Sequence, residues 1–202
     1  MTENRFRRRF ITRIVGAMLV VGLSGCAASC ATAKDSANQS SGSEQRFVSG
    51  DGKVTQYERG HRPKAPKVTG NLLDGSKFSS ATLRGNVVVL NFWGSWCAPC
   101  RAEADHLVEV ANTSRDSGVR FVGVNVRDAK DNATAFDRSH QVPYPSLYDP
   151  AGRIALAFRQ TPPNTIPATI VIDRQGRTAA VFRKPVVLTE LAPVVTKVAA
   201  ES

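Results

Sequence analysis

The sequence predicts an α/β domain over about residues 61–202, a mixed β-sheet covered by helices on both faces. Apolar stretches at Val87–Trp93 and Arg120–Val126 have the length and residue types of buried strands, and each is followed by a helical pattern. A strand–turn–strand unit at 169–182 then precedes a last helix. Strand-helix-strand-helix followed by hairpin and helix requires parallel and antiparallel pairing in one sheet.

The elements follow in order. Leu72-Leu73-Asp74-Gly75-Ser76-Lys77-Phe78 places an Asp-Gly turn between short apolar pieces, which predicts an N-terminal hairpin. Val87–Trp93 is the central strand, 97–114 a helix, 120–126 the second buried strand and 133–140 a short helix. After Pro143 and Pro145 come a turn at 149–152 and a helix near 154–159. Thr169–Ile172 and Thr178–Phe182 pair across the turn Asp173-Arg174-Gln175-Gly176, and 190–199 forms the last helix with Pro193 in its first turn. About 140 residues suffice for one core.

Upstream, the chain reads as an address and a tether. Arg5, Arg7, Arg8, Arg9 and Arg13 form a basic region before a ten-residue apolar core, Ile14–Leu23, which is too short to span a membrane. Residues 1–25 are therefore expected to be a signal peptide, with Sec and Tat export both compatible with the arginines. Leu23-Ser24-Gly25-Cys26 resembles the lipobox of bacterial lipoproteins, in which cleavage precedes the cysteine; Cys26 is then the lipid anchor. Residues 26–60, rich in Ala, Ser, Gly, Asn, Gln and charge, are expected to be a flexible tether. Cys30 lies in it with nothing nearby to lower its pKa.

The formal charge of +10 falls to +6 without residues 1–25, which hold five Arg and one Glu. The remaining basic residues are scattered and lack aromatic interleaving, so nucleic acid is not an expected partner. Export places the thiols where disulfides persist.

The chemistry lies in Trp96-Cys97-Ala98-Pro99-Cys100, immediately after the central strand. Two cysteines at this spacing form a redox dithiol or half of a zinc site. Zinc needs about four ligands, and the domain adds only His61, His106 and His140, none in ligand spacing, so no metal is expected. Cys97 falls at a helix start, where free N–H groups favour a thiolate. A free cysteine titrates near about 8.5 and such helix-terminal thiols lower, so Cys97 is the expected attacker and Cys100 the resolver. Pro99, in the first turn, loses no intrahelical bond. At about 100° per residue, Cys100, Glu103, Ala104, Leu107, Val108, Val110 and Ala111 share one face, which puts the Glu103 carboxyl on the buried side with Cys100. Burial raises a carboxyl pKa, which suits Glu103 to proton exchange with Cys100; a dipole-favoured early-helix Glu is the other reading. Trp96 reads as a platform beside the dithiol and Trp93 as core.

With these residues placed, the domain resembles a thioredoxin fold of the TlpA/ResA type, membrane-tethered thiol-disulfide oxidoreductases, over about 63–200. The resemblance rests on Leu90-Asn91-Phe92-Trp93, the dithiol, Glu103, Thr165-Ile166-Pro167-Ala168-Thr169 and Ile172-Asp173-Arg174-Gln175-Gly176, with 128–158 as the family's central insertion. Asn91 stands where cytoplasmic thioredoxins carry a buried Asp, and Asp105 where the family commonly has a helix-kinking Pro.

The resemblance implies a catalytic set of Cys97, Cys100, Glu103 and Pro167, the proline cis and facing the dithiol. It implies a substrate surface of Trp96, Ala98, Pro99 and Ile166, and no cofactor beyond the Cys97–Cys100 disulfide. It further implies a reductant at the extracytoplasmic face of a bacterial membrane, acting on protein disulfides such as those of apocytochrome c and recharged by a membrane electron-transfer protein. A disulfide-introducing oxidase of exported proteins is the alternative. A peroxiredoxin-type peroxidase would need Pro and Thr where Leu90 and Gly94 stand, and a metal carrier would need a further ligand in range.

Overall fold

The computed structural model describes residues 51–201; the signal segment, Cys26 and Cys30 lie outside the described residues. Eight strands, β1 (Val54–Gln56), β2 (Thr69–Asn71), β3 (Lys77–Ser79), β4 (Val87–Trp93), β5 (Val119–Val126), β6 (Ser146–Asp149), β7 (Ala168–Ile172) and β8 (Thr178–Phe182), alternate with four helices. The helices are α1 (Ala98–Ser114), α2 (Lys130–Ser139), α3 (Arg153–Ala157) and α4 (Leu188–Ala199).

The main sheet has the order β1-β8-β7-β4-β5-β6. β4 pairs parallel with β5 and antiparallel with β7, so the sheet is mixed as the sequence predicts. Every residue of β4 is buried, which explains a continuous apolar run in place of alternation. Its side chains divide between two cores. Val87 and Val89 pack with Leu107 and Val110 of α1 and Leu191 and Val195 of α4. Val88, Leu90 and Phe92 pack on the opposite face with Phe158, Ile170 and Val68, joined by Ile154 of α3.

Three features depart from the sequence reading. Within the segment expected to be tether, β1 pairs antiparallel with β8, Val54 against Phe182, so the sheet begins before residue 61. An exposed three-residue edge strand carries almost no apolar signal. β6, read as loop, pairs parallel with β5 in a four-residue strand hidden between Pro145 and Pro150. Pro193 lies in the second turn of α4, because the helix begins at Leu188, and its exposed position leaves the packed face intact. With Asp105 in place of a proline, α1 runs unbroken from Ala98 to Ser114.

The N-terminal hairpin β2–β3 joins the β6 edge through a bridge of Leu72 to Leu147 and the Leu73 N–H to the Ser146 carbonyl, 2.9 Å. The C-terminal end is pinned by Arg62, whose side chain is 4% exposed. It binds both carboxylate oxygens of Glu201 and reaches Asp173 Oδ2 at 3.1 Å. Among the described residues no helix is long and apolar enough to cross a membrane.

Candidate active site

The site forms where β4 gives way to α1. Gly94 follows Trp93, and a Cβ there would lie 2.5 Å from Trp96 Nε1, so the absence of a side chain lets the indole fold back over the backbone. Trp96 Nε1 donates to the Val126 carbonyl at 3.3 Å. Asp128, just beyond β5, ties the intervening loop down. Its carboxylate accepts from the Ser95 N–H at 2.6 Å, from the Ser95 hydroxyl at 2.8 Å and from Asn125 Nδ2 at 2.9 Å. The loop that presents the dithiol is thus fixed from β5.

Cys97 is the N-cap of α1, with Ala98 and Pro99 opening the first turn. Its Sγ accepts the Cys100 N–H at 3.2 Å, the interaction through which a helix N-terminus steadies a developing thiolate. Cys97 and Cys100 form a disulfide, with Cα atoms 5.3 Å apart. Both are enclosed, 1% and 2% exposed, in a cluster with Trp93 and Ala133. Leu73, Trp96, Phe136 and Ile166 pack against that cluster. Ile166 precedes Pro167 through a cis peptide bond, and the Thr165 hydroxyl donates to the Pro167 carbonyl at 2.8 Å.

Glu103 lies on the buried face, as the wheel predicts, and is 1% exposed. Oε1 accepts from Asn91 Nδ2 and Oε2 from the Val186 N–H, both at 2.8 Å. Asn91 Nδ2 also donates to Thr169 Oγ1 at 3.1 Å, so one amide links α1, β4 and β7. Burial pushes the carboxyl up to about 7, against the two bonds that favour its charged form. A group of that pKa holds or releases a proton near neutrality.

A second acid, the half-buried Asp137 of α2, lines a cavity that Cys100 also borders. Burial raises its carboxyl to about 7, while the adjacent Ser146 hydroxyl and His140 work in the other direction. The sequence reading passed over it, although Ala133, Phe136, Asp137 and His140 follow the i, i+3, i+4, i+7 spacing of a packed face. Asp128 and the Asn91 partnership of Glu103 were also missed. These depend on contacts between distant segments; the only local sign of Asp128 is its place after a strand, where loops carry polar groups.

On the surface, a groove runs from Trp96 and Ile166 to the insertion, lined by Phe92, Leu156, Arg127 and Arg159 among others. Leu156 is 75% exposed. Ala98 is exposed and Pro99 half-buried at the start of α1. Among the described residues no group of three or more His, Cys, Asp or Glu is arranged to hold a metal.

The chain is similar to known proteins. The secreted thiol-disulfide isomerase of Corynebacterium glutamicum superposes with a TM-score of 0.71 at 36% identity, over 77% of this chain and 97% of that one. The thiol-disulfide oxidoreductase ResA of Bacillus subtilis is 31% identical over 108 residues, 54% of this chain and 59% of its own length. The thiol:disulfide interchange protein HelX of Rhodobacter capsulatus is 36% identical over 102 residues, 50% of this chain and 54% of its own. The chain thus spans a little over half the length of these two relatives. The description AhpC/TSA family fits residues 62–181, which hold the dithiol, Glu103 and the cis proline, and the chain belongs to that family.

Proposed function

We propose that this chain is an extracytoplasmic thiol-disulfide oxidoreductase in which Cys97 attacks a protein disulfide and Cys100 resolves the mixed disulfide. The observation that carries the reading is the Cys97–Cys100 disulfide at the capped start of α1, with the Glu103 carboxyl on the same helix face. In the reducing direction the Cys97 thiolate attacks a substrate sulfur, and the second substrate sulfur leaves as thiolate. Cys100 then gives up its proton and attacks Cys97 Sγ, which restores the Cys97–Cys100 disulfide and frees the other substrate thiolate. Glu103, near pKa 7, accepts the Cys100 proton. Trp96, Ala98, Pro99 and Ile166 form the rim on which the substrate strand rests, with Pro167 holding the Ile166 backbone toward the dithiol.

The domain plan completes the proposal. Residues 1–25 are a signal peptide, Cys26 carries lipid, and the stretch from Ala27 toward β1 holds the domain 61–202, with its edge strand, off the membrane. The names of the ResA and HelX relatives, a thiol-disulfide oxidoreductase and a thiol:disulfide interchange protein, support thiol–disulfide exchange. Within that class we place the chain as a reductant of disulfides such as those of apocytochrome c, recharged by a membrane electron-transfer protein. The isomerase name of the Corynebacterium neighbour supports a second reading, in which the dithiol introduces or reshuffles disulfides of exported proteins. Leu90 and Gly94 speak against a peroxidase, since they occupy the places of its Pro and Thr.

The test is reduction of insulin by the pre-reduced chain, followed by titration of the Cys97–Cys100 pair against glutathione. Stoichiometric reduction that Cys97→Ser abolishes is expected. A potential well below the glutathione couple assigns the reductant, and one well above it assigns the oxidase. A folded, reduced protein that leaves insulin intact would remove the exchange reading.

A further inference from the structure

Cys100 borders a cavity of about 10 Å³, space for the centre of one water molecule. Asp137, Ser146, Tyr144 and Asn91 line it too. Asp137 reaches it from α2 and Ser146 from β6, so these groups approach the resolving cysteine from elements other than the helix that carries Glu103. Asp137 Oδ1 and Ser146 Oγ are both buried and make no hydrogen bond of ordinary geometry, although the Ser146 hydroxyl faces the carboxyl closely enough to favour its charged form. Buried polar atoms are almost always paired, and leaving one unpaired costs about 1–3 kcal/mol. Two such atoms at one small polar cavity next to a reactive thiol point to a water that bridges them and to a carboxyl that takes up a proton.

Resting on the exchange reading of the dithiol, we infer that Asp137 is a second proton-holding group for Cys100, serving it through the cavity while Glu103 serves it along α1. When Cys100 attacks the mixed disulfide, its S–H bond breaks and the proton passes through the water to the Asp137 carboxylate. The new S–S bond forms to Cys97, and the Cys97–substrate S–S bond breaks with its electron pair on the substrate sulfur. The proton on Asp137 then returns through solvent to a substrate thiolate. Cys97 enters as thiolate, so the second substrate thiol takes its proton from solvent, and two electrons pass from the dithiol to the substrate disulfide.

The surroundings of Asp137 fit this exchange. Ser146 faces it from β6, and His140 follows on α2, its Nδ1 3.1 Å from Asp105 Oδ1 of α1. Tyr144, which lines the same cavity, is kept in its neutral form by burial and by the fields of both Asp137 and Glu103. No lysine or arginine contributes to the Asp137 carboxyl, and its displacement to about 7 arises mainly from burial. Because two acids serve one thiol, loss of either leaves the other able to accept the proton.

The experiment uses the full chain with Cys26→Ser and Cys30→Ser, so that only the two domain thiols report. Carbon-13 NMR of the Asp137 carboxyl is followed from pH 4 to 9 in the oxidised and reduced protein. A titration near neutrality that moves with the redox state of Cys100 is expected; a titration below pH 5 in both states would overturn the inference. In parallel, insulin reduction is followed against pH for Asp137→Asn, Ser146→Ala, Glu103→Gln and the Asp137/Glu103 double variant. If general acid–base transfer supplies about 100-fold, Asp137→Asn should slow exchange at pH 7 about 3-fold to 10-fold and displace the profile. The double variant should lose nearly the whole factor. Superimposable wild-type and Asp137→Asn profiles would sink the proposal, and should that variant not fold, the wild-type carboxyl titration decides alone. A wild-type chain unable to reduce insulin would instead strike at the exchange reading itself.

Discussion

Glu103 and Asn91 are bound to each other at 2.8 Å across the interface of α1 and β4, with the carboxylate as acceptor and the amide as donor. The opposite Glu103 oxygen takes the Val186 N–H, so both carboxylate oxygens are engaged inside the core. The acid is therefore held in one orientation, with its charged form opposed by burial.

Glu103→Gln should slow disulfide exchange at neutral pH about 10-fold, because the proton acceptor on the same helix face as Cys100 is gone. Thiol pKa values should fall at the same time, since a negative charge near the thiolate has been removed. An amide offers one oxygen where the carboxylate offered two, so one of the donors from Asn91 and Val186 loses its partner and stability drops by about 1–3 kcal/mol. Alkylation and insulin reduction across pH, with circular dichroism as the folding control, check all three. Profiles that superimpose on wild type would reduce Glu103 to a structural acid.

Stability should fall as pH rises from about 4 to about 7. Glu103 and Asp137 move from ordinary values of 4.5 and 3.8 to about 7 in the folded chain. Across that window the folded state holds protons that the unfolded state has released, so deprotonation favours unfolding, by about 3 kcal/mol for Glu103 as an upper bound. Their contribution is complete below the unfolded pKa and lost above the folded one. Glu201, held low by the Arg62 bond, works in the opposite sense, but only as pH falls below its ordinary 4.5. Urea denaturation at pH 4.5, 6 and 8 measures the slope, which Asp137→Asn should reduce. Stability that rises steadily over the same interval would contradict these environments.

Arg62→Ala should destabilise the domain by about 3–5 kcal/mol, because it leaves the buried Asp173 carboxylate without one of its cationic partners and Glu201 without its fork. Arg62→Lys should recover only part of this, since an ammonium cannot reproduce the bidentate contact. Thermal unfolding of the two variants decides. A loss below 1 kcal/mol for the alanine variant would mean that the C-terminal end is held by apolar packing alone.

Cys26→Ala should release the domain from membranes or leave a precursor with its signal attached, while insulin reduction by the soluble protein stays unchanged. Fractionation and mass measurement of the mature N-terminus test this. Normal signal cleavage with undiminished membrane association would exclude lipid at Cys26.

Much of this architecture is legible in the chain because its signals are local. The Val87–Trp93 run is apolar throughout as a consequence of burial on both faces, and the buried set on α1 from Cys100 to Ala111 follows its wheel. β1 and β6 are illegible for the same reason in reverse: each is short, and pairing with a distant strand, not side-chain pattern, makes it a strand. At the site, Cys97, Cys100 and Glu103 are close in sequence and could be placed together. Asn91 with Glu103, Asp128 with Ser95, and Asp137 beside Cys100 are brought together only by the fold.

The central claim is the division of labour between the two cysteines, and the most direct measurement is trapping with Cys100→Ser. In the reduced variant, attack on a disulfide-bonded peptide should proceed and stop, leaving a stable mixed disulfide that peptide mass mapping assigns to Cys97. The corresponding Cys97→Ser variant should accumulate little adduct, because Cys100 lies inside α1 without the N-cap position that favours a thiolate. An adduct that forms preferentially on Cys100, or a folded Cys100→Ser protein that forms none, would contradict the assignment of attacker and resolver.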